Sequence, residues 1–165
     1  MHHPAMTREP ILTDLERRFL ADARRAVLAT TDPAGRPRLV PICHVLAATD
    51  DGHGRPRLYT PIDDKPKASP DPRALARVRD LLAVPDAVVL VDRWAEDWTQ
   101  LGWLRVYGRA KLLEPQPPER EERGEHAAAV AALRAKYPQY REHRLDVRPI
   151  IRITLDAAKS WGSLA

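Results

Sequence analysis

Lys65 and Lys67 are the residues whose type and spacing point most directly to chemistry. They sit in Asp63-Asp64-Lys65-Pro66-Lys67, after a segment that reads as strand (Arg57 to Ile62) and before Asp71-Pro72, which reads as a helix start. A loop entering a helix N-terminus presents backbone N–H groups and a positive dipole end. Two ammonium groups stiffened by Pro66 add point charges suited to a phosphate. The competing reading is a solvated loop whose lysines neutralise Asp63 and Asp64. Lysine is scarce here: five of 27 basic residues, the rest being arginine. The arginine excess, with heavy use of Ala and Pro, reads as codon bias and therefore mostly as solvated surface. The net charge of +4 thus does not argue for a nucleic-acid partner.

The second candidate is aromatic. Three of the four tryptophans, Trp94, Trp98 and Trp103, crowd into one short stretch with one of the chain's four tyrosines, Tyr107, close behind. The segment Asp92 to Trp98 is too polar for a core strand. Indoles in such a place serve a subunit interface or stack on a flat ligand. Other chemistries lack their residues. The seven glycines form neither a dinucleotide fingerprint nor a phosphate loop. The six histidines include no His-Glu-x-x-His pair, so no metal site is expected. Cys43 is the only cysteine, which leaves no intrachain disulfide and suggests a reducing, cytoplasmic setting. Cys43 and His44, read as strand neighbours, point to opposite faces and cannot pair as nucleophile and base.

The elements that must position these residues follow from pattern. Residues 1–12 read as a tail and 13–165 as one domain. Thr13 and Glu16 form a capping-box pattern opening a helix over about 13–24. Strands are expected over 26–31, 39–49 and 57–62, joined by turns at Asp32 to Pro37 and Asp50 to Gly54. Pro41 marks an edge or a bulge. Asp71 caps a helix with Leu75, Val78, Leu81 and Leu82 as its apolar stripe. Strands over 87–92 and 101–113, a helix over 117–136 and a strand over 148–155 complete the order, with Trp161 left in a tail. Short turns between the first three strands force antiparallel neighbours. The expected fold is β-rich α+β: a six-stranded antiparallel barrel or curved sheet with flanking helices. No run is long and apolar enough to span a membrane, and the N-terminus has no apolar signal-peptide core.

These residues resemble the split β-barrel flavin and deazaflavin oxidoreductases, the pyridoxamine-phosphate oxidase-like superfamily. Within it the chain is most similar to the actinobacterial branch of probable coenzyme F420-dependent proteins. Three stretches carry the likeness: Arg25 to Thr31 with Gly35-Arg36-Pro37 and Val40-Pro41-Ile42; Tyr59 to Lys67; and Val89 to Trp98 through Leu101 to Ala110. The resemblance implies a homodimer with a cofactor at each end of the subunit interface and a small-molecule substrate. It implies a ring system along Val40, Pro41, Ile42, Tyr59 and Thr60, a phosphate held by Lys65 and Lys67 with Arg79, and Trp98 or Trp103 beside the ring. The reaction implied is hydride transfer to or from F420. FMN or haem in the same fold is the alternative, as is a module that only stores or senses the coenzyme. Relatives often carry Arg-Asn where this chain has Arg79-Asp80. A carboxylate there would repel a phosphate unless it turned away to pair with Arg77 or Arg79.

Overall fold

Thr13 opens the first helix as its spacing predicts. Its hydroxyl accepts the backbone N–H of Glu16 at 3.2 Å, and the Glu16 carboxylate accepts the Thr13 N–H at 2.9 Å. Two orphan N–H groups are thereby satisfied. The computed structural model describes residues 9–63 and 70–165. The ordered chain begins before the cap: Leu12, assigned above to the tail, is 2% exposed and belongs to the core.

The elements are α1 (Asp14–Asp22), β1 (Ala26–Thr31), β2 (Pro37–Ile42), β3 (Val45–Leu46), β4 (Arg57–Pro61), α2 (Ala76–Ala83), β5 (Asp86–Arg93), β6 (Gly102–Leu113), α3 (Arg120–Lys136) and β7 (Ile150–Gly162). The strands form one antiparallel sheet in the order β2-β1-β5-β6-β7-β4-β3. It therefore has seven strands, not the six expected. The stretch 39–49 splits, because β2 pairs with β1 while β3 pairs with β4. These are the two edges of the sheet, and only Cys43 and His44 separate them in sequence. The three steps from Ile42 to Val45 span about 11 Å at most. The sheet must therefore curl until its edges nearly meet, which makes it a split barrel.

His44 is the corner of that curl. It is fully buried, and its Nε2 donates to the Leu20 carbonyl at 2.8 Å. The Tyr137 hydroxyl accepts the His44 N–H at 3.0 Å and lies 3.0 Å from the carbonyls of Arg24 and His44. Cys43 and His44 thus lie in a connection rather than within a strand, and His44 is committed to holding it.

The barrel interior holds Leu28, Leu58, Val89, Val91, Leu104, Val106, Ile153 and Leu155, capped by Leu20 from α1 and by Val78 and Leu81 from α2. A second cluster lies between α3 and the β3–β4 edge, built on Val45, Tyr59, Val130, Leu133, Tyr137 and Tyr140. Two turns share one chemistry. Asp32 Oδ1 accepts from the N–H groups of Ala34 and Arg36, and Asp51 Oδ1 from those of His53 and Arg55. Gly35 and Gly54 take the positive φ that each turn requires, +83° and +72°. β7 runs to Gly162, seven residues beyond its expected end, so Trp161 is a strand residue. Among the described residues no helix is long and apolar enough to cross a membrane, and no group of three metal-ligating side chains gathers.

Candidate functional site

Strand alternation divides the sheet's residues between the barrel interior and an outer face. On the outer face the register aligns them in rows across five strands. One row runs Pro41, Val27, Leu90, Arg105, Lys159, and the next runs Leu39, Ala29, Val88, Tyr107, Ala157. A third places Asp92, Trp103 and Trp161 side by side. The β2 end is apolar, with Leu39 67% exposed. The β6–β7 end is aromatic and basic.

All four tryptophans gather at that second end. Trp94 follows β5, Trp98 begins the turn to β6, Trp103 lies on β6 and Trp161 faces it from β7. Trp94, Trp98 and Trp161 are 71%, 74% and 56% exposed. The Arg105 guanidinium lies between two rings of its own strand, 5.3 Å from the Trp103 centroid and 5.5 Å from that of Tyr107. An apolar and aromatic surface of this extent is characteristic of an interface or a flat-ligand site.

The residues expected to line a ring are not brought to one face. Val40 and Ile42 turn inward against the barrel core, and only Pro41 among the three faces out. Thr60 points into the barrel and is 1% exposed. Tyr59 points the other way, toward α3, where its hydroxyl donates to Glu125 Oε1 at 2.7 Å. Arg57 reaches the same oxygen at 2.7 Å and Arg152 reaches Oε2 at 2.8 Å. Burial works against the Glu125 charge, but the Arg57 and Tyr59 hydrogen bonds outweigh it, so its carboxyl stays below the usual carboxylate range. Burial together with Glu125 pushes the Tyr59 phenol far up. Tyr59 is thus a neutral donor within a structural ion cluster. Trp103 lies on the outer face with Trp161 as its cross-strand partner, and Trp98 lies in the turn that enters β6.

Lys65 and Lys67 lie outside the described residues. Arg79 is exposed on α2, and Asp80 beside it is buried. The partners expected for Asp80, Arg77 or Arg79, are not the ones it takes: it accepts from the Thr30 hydroxyl and from Arg38 Nε, each at 2.8 Å. It therefore ties α2 to β1 and β2 rather than pairing with Arg77 or Arg79. Its carboxylate is thereby partnered on both sides.

Trp161, Arg105 and Lys159 were not legible as site residues. The alternation Ala157, Lys159, Trp161 was available as a period-two signal, but it starts after a break. The pairing of β6 with β7 shifts register between Tyr107 and Gly108, which interrupts the pattern that leads to Trp161.

An antiparallel sheet curled until its edge strands nearly meet, with helices packed on it, defines a split-barrel protein. The chain belongs to the pyridoxamine 5'-phosphate oxidase family, whose model matches residues 12–162. No curated protein matches the sequence. Among solved structures it is similar to a conserved hypothetical protein of Mycobacterium tuberculosis, with TM-score 0.63 and 19% identity over 96% of this chain and 90% of the other. It is also similar to an FAD-binding protein of Mesorhizobium loti, with TM-score 0.56 and 19% identity over 90% and 92% of the two chains. The haem storage protein of Vibrio cholerae matches with TM-score 0.59 and 10% identity over 93% and 95%. At these identities the likeness is one of fold.

Proposed function

We propose that this protein is a coenzyme F420-dependent oxidoreductase that acts as a homodimer, its cofactor held where the outer faces of two subunits meet. The observation that carries the reading is the collection of all four tryptophans, with Tyr107, at one end of an otherwise apolar outer face. A second subunit laid on the Leu39, Pro41 and Leu90 end would bury that apolar surface. Each Å² removed from water contributes about 25 cal/mol. The tryptophan end would then wall a dry, flat slot. When bound, the deazaflavin supplies a ring carbon that gives or takes a hydride.

The chain's own part is to hold the ring flat between indoles, to exclude water, and to anchor the phosphate. Lys65 and Lys67 are assigned the anchoring role, together with Arg79 of α2. Val40, Pro41, Ile42 and Thr60 contribute through backbone and shape, since three of the four side chains turn inward. The substrate is a small organic molecule that lies on the open side of the ring.

FMN in the same slot is the second reading, favoured by the fold shared with an FAD-binding protein. Haem fits less well: of the histidines among the described residues, His44 and His126 are buried on backbone carbonyls, and His53 and His143 lie in connections, between β3 and β4 and after α3, rather than on the strands of the outer face. Titrating the protein with F420, FMN and haemin, with tryptophan emission as the readout, separates these. Micromolar quenching by F420, weakened about tenfold or more in Lys65→Ala, supports the proposal. Preference for FMN or haemin keeps the fold and replaces the chemistry. Binding without turnover over a panel of acceptors would make the protein a coenzyme carrier.

A further inference from the structure

At the aromatic end of the outer face two cations face each other without an anion. Arg105 on β6 and Lys159 on β7 are direct cross-strand partners. Like charges in that relation repel. Among the described residues neither has an ion pair, and the buried Nε of Arg105 has no hydrogen-bond partner. The one acid on these two strands, Asp156, lies at the register shift, three residues before Lys159. On the neighbouring β5, Asp86 pairs with Arg109 at 3.2 Å, and Asp92 stands one row away, opposite Trp103.

The guanidinium is nevertheless held in place. Trp103 and Tyr107, two residues before and after it on the same face, flank it at 5.3 and 5.5 Å. Aromatic faces attract a cation without satisfying its N–H donors. The guanidinium is thus held without an anion, with Lys159 as its cross-strand neighbour and the exposed Trp161 in the adjoining row. Such an arrangement suits a planar molecule bearing one anionic group. Its ring would lie on the indoles and its oxygens would take the two cations, as charge-assisted hydrogen bonds favour.

We propose that Arg105 and Lys159 form an anion subsite on the outer face, and that the small-molecule substrate is a planar, conjugated organic anion such as an aromatic carboxylate. This rests on reading the outer face as the ligand face. It is separate from the phosphate anchor assigned to Lys65 and Lys67.

The test compares two probes of one shape, 2-naphthoate and 2-naphthamide, by quenching of tryptophan emission at low salt. The wild-type protein should bind the carboxylate about tenfold more tightly, the scale of one charge-assisted contact. Arg105→Gln with Lys159→Gln should bring the two probes to equal affinity, while Arg105→Lys should retain the preference. Far-UV circular dichroism checks that the variants fold, and sedimentation reports their assembly. Equal affinity of both probes for the wild-type protein overturns the inference. So does a double variant that loses its oligomeric state but keeps the preference, because the cations would then serve a subunit contact. F420 and FMN titrations run alongside separate the two proposals. An Arg105-dependent preference in a protein that binds neither cofactor upholds the subsite and removes the oxidoreductase reading. Cofactor binding without the preference does the reverse.

Discussion

Tyr59 shows how one residue's side changes its meaning. In sequence it is the aromatic that opens Tyr-Thr-Pro-Ile. In the fold it donates at 2.7 Å to a carboxylate already held by Arg57 and Arg152. Tyr59→Phe should cost about 1 kcal/mol of stability, the net worth of a typical hydrogen bond, and leave cofactor affinity unchanged. Urea unfolding and an F420 titration of the same variant check both halves. His44 makes a second prediction at this scale. Burial, with the Lys136 charge adding to it, lowers its pKa from 6.5 to about 4, only partly offset by the Leu20 carbonyl. Below pH 6.5 the unfolded chain takes up a proton that the folded chain refuses. Stability should therefore fall as pH drops from about 6.5 to about 4, by up to about 3 kcal/mol from this group. The urea midpoint measured between pH 7 and pH 4.5 tests it, and His44→Gln should flatten that part of the curve.

Elements make predictions that single residues do not. The capping box of α1 satisfies N–H groups that the helix leaves open, so Thr13→Ala should cost about 1 kcal/mol. The same helix carries the Leu20 carbonyl that His44 uses, so loosening α1 also loosens the corner between β2 and β3. Hydrogen exchange at the β3 amides should rise in Thr13→Ala more than exchange at the β6 amides. Asp80 plays the matching part on α2. Asp80→Asn weakens the hold on Arg38 and on the Thr30 hydroxyl, and should destabilise the packing of α2 on β1 and β2 without removing a ligand contact. Its thermal midpoint should fall while F420 affinity stays within about twofold, a difference smaller than the error of a single contact energy.

At the scale of the whole molecule the outer face is where the proposed dimer is tested. Its β2 end exposes Leu39 beside Pro41, with Val27, Ala29, Val88 and Leu90 behind them. A carboxylate at the centre of an apolar interface has no partner and a large desolvation cost. Leu39→Asp should therefore convert the dimer to monomer in sedimentation at micromolar concentration, and cofactor affinity should fall with it. A monomer that keeps full cofactor affinity would place the site within one subunit.

The sequence by itself determined the local decisions. The capping box at Thr13 and Glu16, the two Asp-initiated turns and the antiparallel relation of the first strands all follow from contacts a few residues long; Asp71 does act as a cap, but of the short 3-10 turn Pro72–Ala74, and α2 begins only at Ala76 without a side-chain cap. Such interactions are settled by neighbours along the chain, so their signatures are local. The family likeness was legible for the same reason, because strands and turns that must recur leave recurring residues. What the tertiary structure alone decided is which partner each segment finds. Residues 39–49 read as one strand because the alternation continues through Cys43 and His44. The change of partner at that point depends on Leu20 and Tyr137, which are distant in sequence. Trp161 read as tail because a register shift at Asp156 of its own strand interrupts the pattern that leads to it. Asp80 found Arg38 across the fold rather than the arginines beside it. The facing of Arg105 and Lys159 exists only in the register between β6 and β7, and register is a property of two strands together, which neither strand's sequence states alone.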